Sequence, residues 1–333
     1  MLKWLKRLSL AAVVGLLIAA GWCVRYPYHH VPLKSSPMEF SITAGSTLRS
    51  ATQQMVDAGV LTSPLPFEVL TRLFGDPKNI KAGNYEIEEG ITPLKLMRKI
   101  TRGDYTALAI TFVEGSTFRQ MRSMLDDHPA LKHDTRGLKD VEVVEQLGLE
   151  PRSPEGLFFP DTYHFVQGVS DLSILRRAYQ LMDKHLDAQW QQRAPEVPLS
   201  TPYQALILAS IIEKETGKAV ERATISAVFL NRLRLGMKLQ TDPTVIYGLG
   251  ELFDGNLRKR DLLSDGPYNT YTRVGMPPTP IAMPGIASLN AALHPARTDA
   301  LYFVAKGDGS SHFSRSLEEH DRAVTKYQRS GKR

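Results

Sequence analysis

An uncharged apolar run at residues 8–24, LSLAAVVGLLIAAGWCV, is the first hydrophobic feature of the chain. Its length is close to the minimum of about 17 residues for a helix that crosses a bilayer. Lys3, Lys6 and Arg7 precede it, which predicts that residues 1–7 stay in the cytoplasm and that the chain beyond about Tyr26 is exported. A cleaved signal peptide is the alternative. A lipoprotein signal at Cys23 is disfavoured by the bulky Trp22 before it. We therefore predict an uncleaved transmembrane anchor.

A repeated pattern of alternating and helical hydrophobicity follows a proline-containing linker at 25–38. Each copy has a short alternating strand, a glycine that permits a tight turn, a Ser or Thr N-cap and the start of an amphipathic helix. The copies are FSITAGSTLR (40–49), YEIEEGITPL (85–94) and ITFVEGSTFR (110–119). The pattern predicts small βα units that resemble LysM-type glycan-binding modules, with a plain α+β spacer as the alternative. We assign residues 39–103 to a LysM-like module and residues 104–154 to a connecting βα unit.

The second half of the chain predicts a mixed α+β domain at 155–330. Helical periodicity and end signals place helices in this domain at about 172–193, 202–216, 219–235, 287–293 and 317–329. The connecting unit before it has predicted helices at about 117–127 and 141–147. Strands are predicted at about 300–305 and 311–314, and residues 236–285 read as loops rich in Gly, Pro and Thr. The predicted fold class is therefore α+β.

The helix at 202–216 carries two glutamates that do not fit its apolar character. Its first two-thirds is hydrophobic all round, which predicts a helix inside a domain. Glu215 lies over Ile211 and Ile212, whereas Glu213 lies over smaller residues. Burial and the negative end of the helix dipole would both raise the pKa of Glu215, so that it could act as a general acid. The alternative is that both glutamates form surface ion pairs with nearby Lys or Arg residues.

Composition excludes several classes of function. A single cysteine among 333 residues allows neither an intrachain disulfide nor a thiolate zinc cluster. The net charge of +6 is not concentrated in a long Lys/Arg stripe, so it does not indicate nucleic-acid binding. The nine histidines form no HExxH spacing, and no P-loop, GxGxxG or GxSxG motif occurs. We predict no metal and no cofactor.

Tyrosines and amide side chains cluster in the segments MKLQTDPTVIYGLG (237–250) and YNTYTR (268–273). Such groups suit sugars, because sugar rings stack on aromatic faces and sugar hydroxyls form hydrogen bonds. The two segments therefore predict a glycan cleft.

Taken together, these stretches closely resemble the MltG (YceG-like) family of endolytic murein transglycosylases. The resemblance rests on EGLFFPDTY (155–163), ASIIEKET (209–216), ER…VFLNRL (221–233), LQTDPTVIYG (239–248), YNTY (268–271) and AALHPA (291–296). Order and spacing also match over nearly the full chain.

The resemblance implies a peptidoglycan lytic transglycosylase, a lyase that cuts the MurNAc-β-1,4-GlcNAc bond of nascent glycan strands without water. The product would carry a 1,6-anhydroMurNAc end, and the cut would terminate strand elongation. The family's catalytic glutamate corresponds to Glu215. The implied partners are peptidoglycan strands and penicillin-binding cell-wall synthases. The implied location is the cytoplasmic (inner) membrane, crossed once, with the catalytic domain on the periplasmic side.

The resemblance also implies substrate-binding roles for two groups of loop residues, with loop scaffolding as the alternative. These groups are Gln240, Asp242 and Thr244, and Tyr268, Asn269 and Tyr271. Glu221, Asp161 and Tyr163 either line the groove or brace the scaffold. Two rival functions remain, a glycan-binding scaffold without activity and an ordinary hydrolase.

Overall fold

A computed structural model describes residues 21–22, 24–104, 108–150 and 152–329. The described chain is a mixed α+β protein, as the sequence predicts, with helices and small two-stranded sheets. It divides into two units, each built from separated stretches of sequence. The first unit holds the described residues up to Ile110, with His128–Lys132 and Tyr163–Ser170. The second holds Thr111–Asp127, His133–Thr162 and the described residues from Asp171 onward.

Most of the predicted membrane anchor at 8–24, and all of the predicted cytoplasmic segment at 1–7, lie outside the described residues. Within the described ranges, no helix has both the length and the apolar character needed to cross a bilayer. The anchor therefore stays a prediction.

The first unit is a two-stranded antiparallel sheet covered by helices. Its elements are β1 (Met38–Ile42), α1 (Leu48–Asp57), α2 (Pro64–Phe74), β2 (Gly83–Ile87) and α3 (Pro93–Arg102). Strands β1 and β2 are antiparallel, with Met38 opposite Ile87 and Ile42 opposite Gly83. Alternate residues of each strand point into one apolar core, where the rings of Phe40 and Tyr85 stack at 5.3 Å. The core closes because the buried stripes of the three helices face the same side of this sheet.

The repeated strand–glycine–helix pattern forms as predicted. Its third copy comprises β3 (Leu108–Thr111) and α4 (Phe118–Asp126), and β3 pairs with β4 (Thr162–Phe165). The glycines of the three copies all have positive φ, between 76° and 86°. In each copy a threonine hydroxyl accepts a backbone N–H of the first helical turn at 3.3 Å; the three residues are Thr47, Thr92 and Thr117. Local signals alone determine these turns.

The second unit is mainly helical. Besides α4, its helices are α5 (Asp140–Gln146), α6 (Asp171–Gln191), α7 (Pro202–Glu215), α8 (Arg222–Arg234), α9 (Asp242–Leu249), α10 (Lys259–Leu263), α11 (Ile286–Leu293) and α12 (Leu317–Val324). Its hairpin consists of the antiparallel strands β5 (Tyr302–Ala305) and β6 (Ser311–Ser314). Short 3₁₀ turns precede α8 and follow α9, and a π-turn at Thr325–Arg329 follows α12.

Helix α7 is the centre of the second unit. Its buried stretch, residues 205–212, is covered on every side by α6, α8, α9 and α11. The one polar side chain in that stretch is satisfied, because the Ser210 hydroxyl donates to the Ile207 carbonyl and accepts from the Ile281 N–H. Thr201 caps its start by accepting from the Gln204 N–H at 3.2 Å. The helix ends at Glu215, within one residue of the predicted end.

The interpretation of residues 236–285 as loops is wrong in part, because α9 and α10 lie there. Helix α9 begins directly at Asp242-Pro243, inside the segment assigned to loops. Proline at the second helical position and the apolar Val245 and Ile246 favour the helix. Glycines at 248 and 250 then end it after eight residues, too short a run for helical periodicity to stand out.

Gly156 offers a test of packing in the second unit. Its φ is +79°, and a Cβ there would lie 2.5 Å from the Cβ of Pro280. Gly148 has nearly the same φ, +80°, but faces open space. We expect Gly148→Ala to cost about 1 kcal/mol through backbone strain, and Gly156→Ala to cost about 1–3 kcal/mol more through overpacking.

Thermal and urea unfolding of the two variants, compared with the wild type, measures this difference. Equal destabilisation would contradict the predicted contact between Gly156 and Pro280.

Candidate active site

Glu215 is the last residue of α7 and lies in a cavity of about 490 Å³ within the second unit. Residues 205–212 of α7 are buried and Lys214 is exposed, whereas the Glu215 side chain is half-buried and lines the cavity. The cavity is bounded on one side by Arg232, Gln240, Asp242 and Tyr271. Residues of strand β5 and helix α12 also line it. The carboxyl group therefore faces an open cavity with polar groups around it.

A hydroxyl group is the hydrogen-bond partner of Glu215 in the described structure. The Thr241 hydroxyl donates to Oε1 of Glu215. Thr241 is 1 % exposed and is held from two sides: its N–H donates to the Thr270 hydroxyl at 3.1 Å, and its carbonyl accepts from the Thr244 hydroxyl at 2.8 Å. The hydroxyls of Thr244 and Thr270 also bond each other at 2.9 Å. This buried threonine cluster fixes the hydroxyl that reaches Glu215.

The electrostatic environment keeps Glu215 easy to protonate. Burial raises its pKa from the ordinary 4.5 to about 6. The negative charge of Asp242 raises the pKa further, whereas the Thr241 hydrogen bond and the positive charge of Arg232 oppose the rise. A carboxyl group in this range exists in both protonation states near neutral pH and can give and take a proton.

Asp242 and Tyr271 form a pair beside Glu215. The Tyr271 hydroxyl donates to Oδ1 of Asp242 at 2.5 Å. Burial and this hydrogen bond raise the pKa of Tyr271 above its ordinary value, so the phenol stays protonated. Asn269 places Tyr271: its side-chain oxygen accepts from the Tyr271 N–H at 2.8 Å, and its amide nitrogen donates to carbonyls of the preceding segment, including that of Ser264 at 2.6 Å. Asn269 is 5 % exposed and thus supports the loop.

Gln240 and Arg232 shape the floor of the cavity. Gln240 has φ of +50°, which is uncommon for a residue other than glycine and marks local strain. Its backbone is tied to the Thr270 carbonyl at 3.1 Å, and its side-chain oxygen accepts from Arg232 at 3.4 Å. Arg232 is 7 % exposed and also donates to the carbonyls of Leu239, at 2.8 Å, and Leu301, at 2.6 Å. The guanidinium thus joins the Gln240 segment to the start of β5.

The two glutamates at the end of α7 have different surroundings. Glu213 accepts from the Gly285 N–H at 2.9 Å and lies 3.8 Å from the guanidinium of Arg222. The ion-pair alternative therefore describes Glu213, although its side chain is only 7 % exposed and the pair is not at the surface. The burial of Glu213 also shows that an apolar wall alone does not distinguish Glu215. What distinguishes Glu215 is the open cavity and a hydroxyl partner in place of a cation.

The remaining candidates do not line this cavity. Thr244 is fully buried in the threonine cluster, and Tyr268 contacts the ring of Tyr247 and bonds the Thr279 hydroxyl at 2.8 Å. Glu221 accepts from the N–H and hydroxyl of Ser311 in β6, at 2.9 and 2.8 Å.

Asp161 and Tyr163 are also elsewhere. Asp161 accepts from the neighbouring Thr162 N–H at 2.7 Å, and Tyr163, 6 % exposed, belongs to the first unit. The geometry thus groups Gln240, Asp242 and Tyr271 with Glu215, and the roles of all these residues stay predictions.

Three residues at the cavity were missed by sequence reasoning. Arg232, Tyr302 and His320 stack in series, with the guanidinium 5.0 Å from the Tyr302 ring and the His320 ring 5.2 Å beyond it. Burial lowers the pKa of His320, which favours its neutral form. Arg232 lies in the VFLNRL motif and could have been found there. Tyr302 and His320 carry no such local signal.

A grouping of potential metal ligands occurs outside this cavity, at Asp126, His133 and Asp171, whose ligand atoms lie within 4.8 Å of one another. Asp171 already accepts two donors on each oxygen, among them the Thr135 hydroxyl at 2.6 Å. The Arg136 guanidinium lies 3.9 Å from Asp126. The Asp171 carboxylate is therefore saturated with donors, whereas Oδ1 of Asp126 and Nδ1 of His133 are buried without a hydrogen-bond partner in the described structure.

Comparison with known proteins identifies consistent relatives. The sequence model of the YceG-like family matches residues 40–326. A Bacillus subtilis (strain 168) protein named endolytic murein transglycosylase is 32% identical over 309 residues, which cover 87% of this chain and 84% of the relative. A protein of the same name from Streptococcus pneumoniae (strain D39 / NCTC 7466) is 24% identical over 96% of this chain, and the match spans 64% of the relative's length. A crystal structure of a putative yceG-like protein from Listeria monocytogenes is 31% identical and superposes with a TM-score of 0.57, covering 86% of this chain and 98% of that one.

The Thr241 hydrogen bond provides a test of the site's electrostatics. Because a bond to the ionised carboxylate lowers the pKa, we expect Thr241→Val to raise the pKa of Glu215 above its value of about 6. The carboxyl ¹³C shift of Glu215, followed by NMR titration and assigned by comparison with Glu215→Gln, measures the change. Thr272→Val removes a hydroxyl that bonds Asp265 instead and serves as the control. An unchanged pKa of Glu215 in Thr241→Val would show that this hydrogen bond does not set the pKa.

Proposed function

The chain belongs to the YceG-like family, and from this premise we propose that it is an endolytic peptidoglycan lytic transglycosylase. The enzyme cuts the MurNAc-β-1,4-GlcNAc bond of glycan strands without water and leaves a 1,6-anhydroMurNAc end. The observation that carries the proposal is a single carboxyl group, Glu215, with a pKa raised to about 6, facing a cavity of about 490 Å³.

Glu215 acts as the acid and then as the base. In its protonated form it donates its proton to the glycosidic oxygen while the bond from that oxygen to C1 of the muramyl residue breaks. The substrate's own 2-acetamido oxygen stabilises the electron-poor C1, so no second carboxylate nucleophile is required. The ionised Glu215 then removes the proton of the C6 hydroxyl as its oxygen bonds to C1. The carboxyl group is thereby reprotonated, and atoms and charges balance without water.

The cavity supplies groups that suit this substrate. Gln240, Asp242 and Tyr271 lie around Glu215 and offer an amide, a carboxylate and a phenol for sugar hydroxyl and acetamido groups. We assign substrate binding to these residues. Thr244 and Asn269 act through the loops that they hold.

The first unit and the N-terminal run supply location and reach. The first unit has an open polar groove lined by residues such as Glu86, Glu88, Lys95 and Lys99, which supports a LysM-like role in holding glycan. The apolar run at 8–24 supports a single anchor in the inner membrane, with both units on the periplasmic side. A protein placed there would meet nascent strands beside penicillin-binding synthases and end their elongation.

Mass analysis of products separates the proposal from its rivals. Purified protein is incubated with polymerised lipid II or isolated sacculi. Anhydromuramyl ends support the lytic reaction, reducing ends that are heavier by one water indicate a hydrolase, and bound glycan without new ends indicates a scaffold.

The role of Glu215 predicts a specific loss. Glu215→Gln keeps the size of the side chain but cannot donate or take up the proton, so anhydro-product formation should fall at least about 100-fold. Glu145→Gln, at an exposed position of α5, makes the same chemical change away from the cavity and should keep full activity. Near wild-type formation of anhydro ends by Glu215→Gln would remove this residue from the mechanism.

The pH dependence has a predicted sign. Because the free enzyme must carry a protonated Glu215, kcat/KM should fall as the pH rises through about 6. The negative charge of Asp242 raises the pKa of Glu215, so Asp242→Asn should move this fall to lower pH. Asp254→Asn, at an exposed position outside the cavity, is the control and should leave the profile in place. A profile of Asp242→Asn that moves to higher pH would contradict the electrostatic assignment.

A further inference from the structure

A second buried carboxyl group in the same unit, Glu155, has no part in the mechanism above. It is 4 % exposed. Oε1 accepts from the Phe118 N–H at 3.0 Å, and Oε2 accepts from the Tyr247 hydroxyl at 3.1 Å. Glu155 therefore joins the start of α4 to a side chain on α9.

Tyr247 lies near the C-terminal end of α9, where the helix is packed closely. Its ring meets the ring of Tyr268 edge to face at 4.9 Å. The backbone of the next residue, Gly248, approaches so closely that a Cβ would lie 3.0 Å from the Cβ of Tyr268. The C-terminal end of α9 is thus held by Glu155 on one contact and by Tyr268 on another.

The opposite end of α9 meets the proposed catalytic group. Thr241 is the N-cap residue of α9 and donates to Glu215, and Asp242, the first helical residue, accepts from Tyr271. Tyr268 and Tyr271 belong to one short loop. A helix of eight residues moves as a rigid rod of about 12 Å. A shift at Tyr247 is therefore passed to Thr241.

We propose that Glu155 is a positioning residue that holds α9 through the hydroxyl of Tyr247, so that Thr241 keeps its hydrogen bond to Glu215. The inference rests on the proposed function of Glu215 and adds the residue that sets its geometry from the far end of the helix. Glu155 does not touch the substrate and acts through Tyr247 and the helix.

The contacts and charges around Glu155 agree with this role. Burial raises the pKa of Glu155 to about 7, while the hydrogen bonds from Phe118 and Tyr247 oppose the rise. Asp140 of α5 faces it as a like charge and is itself paired with Arg122 at 3.1 Å. Each carboxyl oxygen of Glu155 accepts its own donor, the Phe118 N–H or the Tyr247 hydroxyl. A glutamine has a single acceptor oxygen, so it can accept only one of these two donors.

Two variants test the proposal, Glu155→Gln and Tyr247→Phe. Each weakens or removes the link to α9, so Thr241 should hold Glu215 less well. Loss of that bond raises the pKa of Glu215. We expect the fall of kcat/KM with rising pH to move to higher pH in both variants, in the same direction as in Thr241→Val. Turnover at the optimum should also fall at least about threefold, since small misplacements of catalytic groups are costly.

Matched controls make the same two substitutions, Glu to Gln and Tyr to Phe, at buried positions of the first unit. Glu68→Gln alters a buried carboxylate that accepts from Thr52, and Tyr85→Phe removes a buried hydroxyl that donates to the Lys81 carbonyl. Both should leave the pH profile unchanged. If Glu155→Gln and Tyr247→Phe lower activity equally at every pH, or leave it unchanged, Glu155 is only a structural residue and the proposal is overturned.

A readout that does not depend on activity separates this inference from the proposed function. NMR titration of Glu215 in Glu155→Gln should show a raised pKa even if the enzyme cuts no glycan. If the wild type cuts no glycan but the pKa of Glu215 still rises in Glu155→Gln, the proposed function is contradicted and the positioning role is not. An active wild type whose Glu215 titration does not respond to Glu155→Gln would contradict the positioning role alone.

Discussion

Burial of residues 205–212 of helix α7 on all sides is the constraint on which the second unit depends. A helix that is apolar on all sides needs neighbours in every direction, and α6, α8, α9 and α11 provide them from separate parts of the sequence. Ser210, the polar exception within the buried stretch, finds both a donor and an acceptor. The helix can present polar chemistry only where burial stops, at its C-terminal end. Glu215 occupies that point and opens into the cavity.

The two glutamates near the C-terminal end of α7, Glu213 and Glu215, have different partners. Residues two apart on a helix point roughly 200° away from each other, so Glu213 and Glu215 meet different surroundings. Glu213 is neutralised by Arg222 and a backbone amide, and it braces the start of α11. Glu215 faces a hydroxyl and a like charge, Asp242, which favour proton exchange over a permanent ion pair.

These carboxyl groups also couple folding to pH. The pKa values of Glu215 and Glu155 are raised in the folded state, to about 6 and about 7, above the ordinary 4.5. Between pH 4.5 and about 7 the folded protein therefore binds more protons at these two groups than the unfolded chain does. The contribution of the two carboxyl groups to stability is thus largest at low pH and declines as the pH rises. Protonation of either group therefore stabilises the fold.

Local signals made much of this structure predictable, and non-local contacts made the rest unpredictable. The three strand–glycine–helix units and the burial and end of α7 follow from N-caps, glycines and hydrophobic periodicity. Helix α9 was missed because it is short and glycine-interrupted. The substrate-binding roles of Thr244 and Asn269, which the family resemblance implies, stay predictions, although neither residue lines the cavity. Their partners, Thr270 and several backbone carbonyls, are visible only after folding.

The Thr241 hydroxyl is a suitable partner for the proton shuttle that we propose for Glu215. A cation in direct contact would favour the ionised carboxylate and lower the pKa, leaving little acid to protonate the leaving oxygen. A carboxyl group with no partner would keep its proton too firmly to regain the base form. The Thr241 hydroxyl donates to the carboxylate and can accept from the acid, so it stabilises both states that the reaction visits. Arg232 contributes its charge from the cavity floor, bound to backbone carbonyls, where it tempers the pKa without forming the ion pair that Glu213 makes.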